Sequence, residues 1–248
     1  MGLLRLLHRF MVRQTMPSAA VSYYEKMSAG VLKLYLKPFS EEVNEAFRQG
    51  IRILDVGTGT GHLPVLLTQA NRRHHVTGLD LSRACIRSAQ ARANQAGVSE
   101  RVRWVCGEVG ELRDTFDLVV STCSLHHWRY PGRMLRSMAR RLNEGGQIWL
   151  LDDSGDASGS ARSAWVRKVE ASFDAGILFR TVFNFESRWL AYTEAEIRSL
   201  CSAAGLRVSD FRLRDVFFLA KCSLTAGQAD RATQGQQTPL TVRPPPRP

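Results

Sequence analysis

Between Ile51 and Leu67 the chain reads IRILDVGTGTGHLPVLL. An apolar run (Ile51, Ile53, Leu54, Val56) carries Asp55, stops at Gly57, Gly59 and Gly61, and gives way to helical spacing through Leu63, Leu66 and Leu67. Glycine accepts backbone angles and ligand approaches that a Cβ forbids. A strand, a tight glycine turn and a helix, in that order, turn backbone N–H groups and a helix N-terminus toward a ligand at the edge of an α/β sheet. His62 occupies the position where a dinucleotide fingerprint has its last glycine, and no Gly-Lys-Ser/Thr follows. Neither that fingerprint nor a P-loop is therefore present.

The rest of the chain repeats the strand–helix alternation. A short apolar strand over 74–79 ends at Asp80, and a helix over 82–96 ends at Gly97. A carboxylate at a second strand tip, about 20 residues past the glycines, suits a two-pronged grip on ribose hydroxyls, and the same Asp80 suits capping of the following helix. A third strand over 101–105 leads into Gly107-Glu108-Val109. The fourth, FDLVVS over 116–121, is nearly unbroken apolar sequence, as in the middle of a parallel sheet. It runs into Thr122-Cys123-Ser124-Leu125-His126-His127-Trp128. A helix over 131–142, a turn at 143–146 and a fifth strand over 147–151 follow. Two helices are expected over 21–49, split near Pro38–Ser40, with Ser40 capping the second. Thr193, with Glu194 and Glu196 behind it, starts a helix that ends near Gly205, and two final strands turn around Arg214-Asp215.

The D-V-G-T-G-T-G string and the block F-D-L-V…L-H-H-W…M…L…G-G resemble the class I S-adenosylmethionine-dependent methyltransferases. The likeness is to their small-molecule (type 11) branch, which includes the ubiquinone and menaquinone C-methyltransferases, and it covers roughly residues 21–152. It implies a Rossmann-like α/β fold: a seven-stranded, mostly parallel sheet with a C-terminal antiparallel hairpin, helices on both faces and an N-terminal helical cap. It also implies S-adenosyl-L-methionine as cofactor. Carried over residue by residue, it assigns Asp55, Gly57, Thr58, Gly59 and Gly61 to the loop around the cofactor, and Asp80 and Leu81 to its ribose. Glu108 and Val109 fall at the adenine, Glu108 being one methylene longer than the usual aspartate. Ser121 and Leu125 fall at the end of the fourth strand. Tyr24 comes from the helical cap, where relatives carry Tyr-Asp and this chain has Tyr23-Tyr24-Glu25.

A sulfonium methyl is already activated, so the protein's work is to hold acceptor, methyl carbon and sulfur in line and keep water out; no metal or covalent nucleophile is required. An acceptor that must shed a proton needs a base, and His127, ahead of its neighbour His126, stands at the right strand end. The alternative is that both, with Trp128, shape the pocket floor. Residues 154–190 break the alternation and are expected as an insertion over the substrate side. Phe179, Phe183, Phe185 and Trp189 there either line an aromatic or quinone-like acceptor site or pack against one another.

A net charge of +11 raises the question of nucleic acid. Three of those charges (Arg5, Arg9, Arg13) precede residue 25, two net charges follow residue 222, and the rest are scattered. The Asn-Pro-Pro-Tyr motif of many amino-group nucleic-acid methyltransferases is absent from the fourth strand end. A small-molecule acceptor is therefore expected over nucleic acid; a nucleic-acid or protein methyltransferase, and a degenerate cofactor-binding assembly protein, are the alternatives. Residues 1–20 read as a basic amphipathic segment: a cap helix, a peripheral membrane contact through residues 3–14, or a transit peptide. The compartment is accordingly cytoplasmic, or organellar on the last reading. The methyltransferase domain is expected over 21–222, with a disordered tail over 223–248. Five widely spaced cysteines show no zinc spacing. Oligomeric state is not legible.

Overall fold

The computed structural model describes residues 18–172, 181 and 183–226. Phe179 lies outside the described residues, as do residues 1–17 of the basic segment 1–20, whose last three residues begin a helix, and 227–248 of the expected tail 223–248, whose first two residues instead end the last strand.

Seven described strands form one sheet in the order β3-β2-β1-β4-β5-β7-β6. They are β1 (Arg52–Val56), β2 (His75–Asp80), β3 (Val102–Cys106), β4 (Phe116–Thr122), β5 (Leu142–Asp153), β6 (Leu206–Arg214) and β7 (Phe217–Leu224). The first five run parallel, and β7 pairs antiparallel with both β5 and β6. The helices are α1 (Ser18–Ala46), α2 (His62–Ala70), α3 (Arg83–Gln95), α4 (Pro131–Ala139), α5 (Gly159–Ser172) and α6 (Glu194–Ala203), with a single π-helical turn at Glu186–Leu190. No described helix is long and apolar enough to cross a membrane.

Alternate residues of the central strands enter two separate cores. Leu54, Val119, Ile148 and Leu150 pack with Leu135 and Met138 of α4 and Ile197 of α6. Ile53, Leu118, Val120, Trp149 and Leu151 pack on the other face with Phe39 and Val43 of α1, Leu63 and Leu67 of α2, and Val169 of α5. Burial on both faces explains why FDLVVS is almost unbrokenly apolar. Strand order reverses between β1 and β4, so their carboxyl ends diverge and leave a crevice there.

Two expected boundaries are corrected. Residues 21–46 form one helix, not two, with Pro38 inside it. An interior proline costs about 3 kcal/mol, whereas each buried side chain returns roughly 1.5–3 kcal/mol; Leu36, Phe39 and Val43 are all buried. Ser40 does not cap: its hydroxyl donates to the Lys37 carbonyl at 2.8 Å. Glu42, two residues on, pairs with Arg212, Arg214 and Lys221 of the hairpin. The second correction is at 142–146, which is a bulge inside β5 rather than a turn after α4. Pairing passes from Phe116–Leu142 directly to Leu118–Gln147, with Gly145 at φ +71° in the bulge. The capping of α6 is as expected: Glu196 N donates to Thr193 Oγ1 at 3.3 Å, and the Thr193 N–H donates back to Glu196 at 3.0 Å.

Candidate functional site

The tips of β1, β2 and β3 meet because their parallel register sets Val56 beside Leu79 and Asp80 beside Cys106. The N–H groups of Gly57 and Thr58 both donate to the Leu79 carbonyl, at 2.9 and 3.0 Å, folding the loop back over β2. Gly59 N donates to Asp80 Oδ2 at 2.9 Å, and Ser82 N donates to Asp80 Oδ1 at 2.8 Å. Gly61 (φ +79°) admits no other residue, since a Cβ there would lie 2.6 Å from Ala89 Cβ and from the Trp104 ring. At Gly59 (φ +53°) the reason differs: nothing stands within 4 Å of where a Cβ would be, so the loop is open on that side.

Asp55 is buried beneath this opening, with one carboxylate oxygen accepting from Thr58 Oγ1 at 2.7 Å and the other without a partner. Burial pushes its pKa up to about 7, against the Thr58 hydrogen bond and with the charge of Asp80. Burial also raises Asp80, and the N–H groups of Ser82, Gly59 and Leu81 oppose it. Across the loop, Arg92 donates to the Thr60 carbonyl at 2.9 Å and pairs with Glu25 of α1 at 3.2 Å. Glu25 also accepts from Ser88. These contacts tie α1 to the glycine loop.

A second polar group occupies the tips of β4 and β5. Cys123 leaves β4 at φ +48°, a conformation costing a non-glycine residue on the order of 1 kcal/mol, and turns the following N–H groups toward β5. Asp152 Oδ2 accepts from Ser124 N at 2.9 Å and from Leu125 N at 2.8 Å, and its Oδ1 lies 2.5 Å from His126 Nδ1. The His126 and Asp152 side chains are 4% and 1% exposed, so this pair is dry. Burial pulls the His126 pKa down, but the charge and hydrogen bond of Asp152, helped by Glu186 and Asp153, carry it up to about 10. His127 is 42% exposed, with Nε2 4.0 Å from Glu186 Oε1. The two imidazoles are 3.9 Å apart. Burial raises the carboxyls of Glu186 and Asp153, the latter to about 7, and the charge of His126 opposes both.

The expected residues thus fall into several places. Asp55, Gly57, Thr58, Gly59, Gly61, Asp80 and Leu81 converge on the open loop. Glu108 is exposed at the tip of β3, its N–H donating to Glu111 at 3.0 Å, and Val109 is buried beneath it. Ser121 turns inward, donating to the Val56 carbonyl at 2.9 Å and bracing the root of the loop. Leu125 is buried, and its N–H holds Asp152. Tyr24 lies in α1, its side chain outside the described residues. Trp128 is a core residue anchored by its indole to Ser124 at 2.9 Å. In the insertion Phe183 is 7% exposed and joins the core, whereas Phe185 and Trp189 are 43% and 51% exposed beside Glu186. Sequence reasoning missed Asp152, Asp153 and Glu186. The L-L-D-D ending of β5, two acids following a buried strand, was the available signal for the first two.

Residues 53–146 match the methyltransferase domain family. Malonyl-[acyl-carrier protein] O-methyltransferase of Anoxybacillus flavithermus is 25% identical over 191 residues, covering 74% of this chain and 66% of the relative. A ubiquinone/menaquinone biosynthesis C-methyltransferase of Vibrio vulnificus is 29% identical over 150 residues, covering 58% of this chain and 57% of that one. Together these matches support a class I S-adenosylmethionine-dependent methyltransferase. The fold agrees: a methyltransferase structure from Aquifex aeolicus superposes with a TM-score of 0.63 at 16% identity, covering 85% of this chain and all of that one. The chain spans less than two thirds of the length of these curated relatives. S-adenosylmethionine is the cofactor that these matches support, and the loop fits that group. The open flank at Gly59 leaves room for the ligand, the unpartnered Asp55 oxygen can accept a hydrogen bond, and Asp80 retains lone pairs beyond those its N–H donors use.

Proposed function

We propose that the protein transfers a methyl group from S-adenosylmethionine to a small-molecule acceptor that carries an apolar ring and an ionisable oxygen or carbon. The observation that carries this reading is the juxtaposition of two differently built polar groups on one sheet edge: carboxylates around an open glycine loop, and a histidine–carboxylate cluster two strands away. Support also comes from the relatives, one named as an O-methyltransferase and one as a ubiquinone/menaquinone biosynthesis C-methyltransferase.

The cofactor supplies a methyl group already activated on a sulfonium. Asp80 would hold the ribose hydroxyls, Glu108 the adenine amino group, and the loop N–H groups and Asp55 the remainder. His127, the more open histidine, faces the acceptor and takes its proton where one must leave. His126, fixed by Asp152, sets the floor on which His127 rests. Phe185 and Trp189 cover an apolar ring and exclude water, which strengthens every charge interaction inside. Two measurements test the proposal together. Calorimetry should show S-adenosylmethionine and its demethylated product binding at micromolar protein. A cell extract supplied with both cofactor and protein should contain one metabolite heavier by a methylene. Absence of cofactor heat, with Asp80→Ala changing nothing, refutes it.

A further inference from the structure

We infer that His126, His127 and Glu186 form a binding site for one divalent cation of the zinc, cobalt or iron(II) type at the acceptor end of the methyl-transfer site. The inference rests on the reading that this edge receives the acceptor.

One ligand atom from each of these three residues lies within 4.8 Å of the other two. Side chains of such mixed charge are ordinarily satisfied by one another, but the His126 Nε2 is buried and has no partner. Its other nitrogen is bonded to Asp152, whose remaining oxygen is held by two backbone N–H groups. That arrangement is how metal-binding imidazoles are oriented: a carboxylate accepts a hydrogen bond from Nδ1–H and leaves Nε2 for the metal. A bare pocket-floor histidine needs no such fixture. Where Nε2 carries a proton, the cation displaces it.

The donor set selects the ion. Two imidazoles and one carboxylate suit borderline cations and leave coordination positions open, whereas magnesium and calcium favour all-oxygen sites. His127 is half-exposed, and Phe185 and Trp189, which flank Glu186 in the chain, are exposed too. A cation there would offset charge on an acceptor oxygen and lower its pKa. With His127 then a ligand and not the base, the proton would leave to solvent. The oxygen's electron pair would form the bond to the methyl carbon, and the methyl–sulfur bond would break with its pair left on the neutral thioether. The ligands also come from two separate elements, the turn after β4 and the π-helical turn at Glu186–Leu190. Loading the site would therefore fasten the insertion to the sheet. The His127 Nε2 and Glu186 Oε1, 4.0 Å apart, are spaced to close around an ion.

The experiment uses the untagged full chain, freed of metal by a chelator and titrated with Co²⁺ alone, read by visible absorption and by calorimetry. One equivalent should bind with micromolar or tighter affinity and give ligand-field bands of a four- or five-coordinate ion. Glu186→Gln and His127→Ala should each weaken binding by about tenfold or more. S-adenosylmethionine affinity, measured in the same samples, should stay within about twofold, which also shows that the variants are folded. No binding up to millimolar Co²⁺, or equal binding in wild type and both variants, overturns the inference. Should cobalt bind as described while S-adenosylmethionine does not, the metal site stands and the proposed function fails; the reverse result leaves the function standing and removes the site.

Discussion

The two ends of the crevice are made in opposite ways. At the tips of β1 to β3, the ligand groups are consecutive or nearly so: Asp55 to Gly61 is one stretch, and Asp80 meets Gly59 because adjacent parallel strands end together. Most of the work there is done by backbone N–H groups whose positions follow from glycine φ angles. At the tips of β4 and β5, the partners are side chains far apart in sequence: His126 with Asp152, and His127 with Glu186 across an insertion. The region that matches the methyltransferase domain family, 53–146, holds the whole first group and stops short of Asp152, Asp153 and Glu186. On the proposed function, one end is thus the device that holds the cofactor. The other depends on long-range packing, which can change with the acceptor while the fold persists.

The sharpest way to break this division is to damage one end and measure the other. His127→Ala should lower turnover about a thousandfold, within the usual range for loss of a positioned acid–base group, and leave cofactor affinity nearly unchanged. Single-turnover rates and calorimetry on one preparation would read both. Lost cofactor binding would mean that the two ends are not separate. Asp80→Ala is the converse. Two charge-assisted hydrogen bonds to a ribose, together worth about 3 kcal/mol, should go with it, so cofactor affinity falls about a hundredfold. Turnover at saturating cofactor should fall much less, and a collapse of turnover under saturation would instead implicate Asp80 in the chemistry.

A third change probes the scaffold common to both ends. Burial alone would raise the Glu42 pKa, but Lys221, Arg214 and Arg212 hold it down to about 2 from 4.5. A depressed carboxyl stabilises the fold above its unfolded pKa and loses that contribution as pH falls toward the folded value. Glu42→Gln should therefore cost about 2 kcal/mol at pH 7, a fall of roughly 5 °C in Tm. The gap between wild type and variant should narrow as pH drops from 4.5 toward 2. Thermal melts across that window decide it, and a gap independent of pH would mean that packing of α1, not the ionic cluster, accounts for the loss.

This division also governs what the sequence alone made legible. The glycine loop, Asp80 and the strand alternation are local patterns, and local rules read them. Pro38 and the Asn-Glu-Gly-Gly stretch are local patterns too, but tertiary packing overrode them. Apolar burial carried α1 through the proline, and pairing with β4 drew residues 142–146 into β5 as a bulge. The misplaced end of β5 had the larger consequence, because stopping the strand at Leu151 left Asp152 and Asp153 unassigned. Glu186 sits among aromatic residues of the insertion, and nothing near it in sequence announces His127. Only the folded chain brings them together.

Glu108 offers the smallest effect and the finest distinction. It belongs to the cofactor end by position, yet it is exposed, and a hydrogen bond at an exposed rim contributes only about 0.5–1 kcal/mol. Glu108→Ala should then weaken S-adenosylmethionine binding by no more than about fivefold, against about a hundredfold for Asp80→Ala. The ratio of the two measures how unevenly the cofactor is held along its length: firmly at the ribose, between the loop and β2, and loosely at the adenine. A loss at Glu108 comparable to that at Asp80 would require the adenine end to be shut off from water when the cofactor binds. Of the described elements, α1 is the one already fastened beside the loop, by Glu25 and Arg92. Repeating the Glu108→Ala titration in an Arg92→Ala background would then tell closure by α1 from a stronger contact at Glu108 itself: closure makes the two losses non-additive, whereas an independent contact leaves them additive.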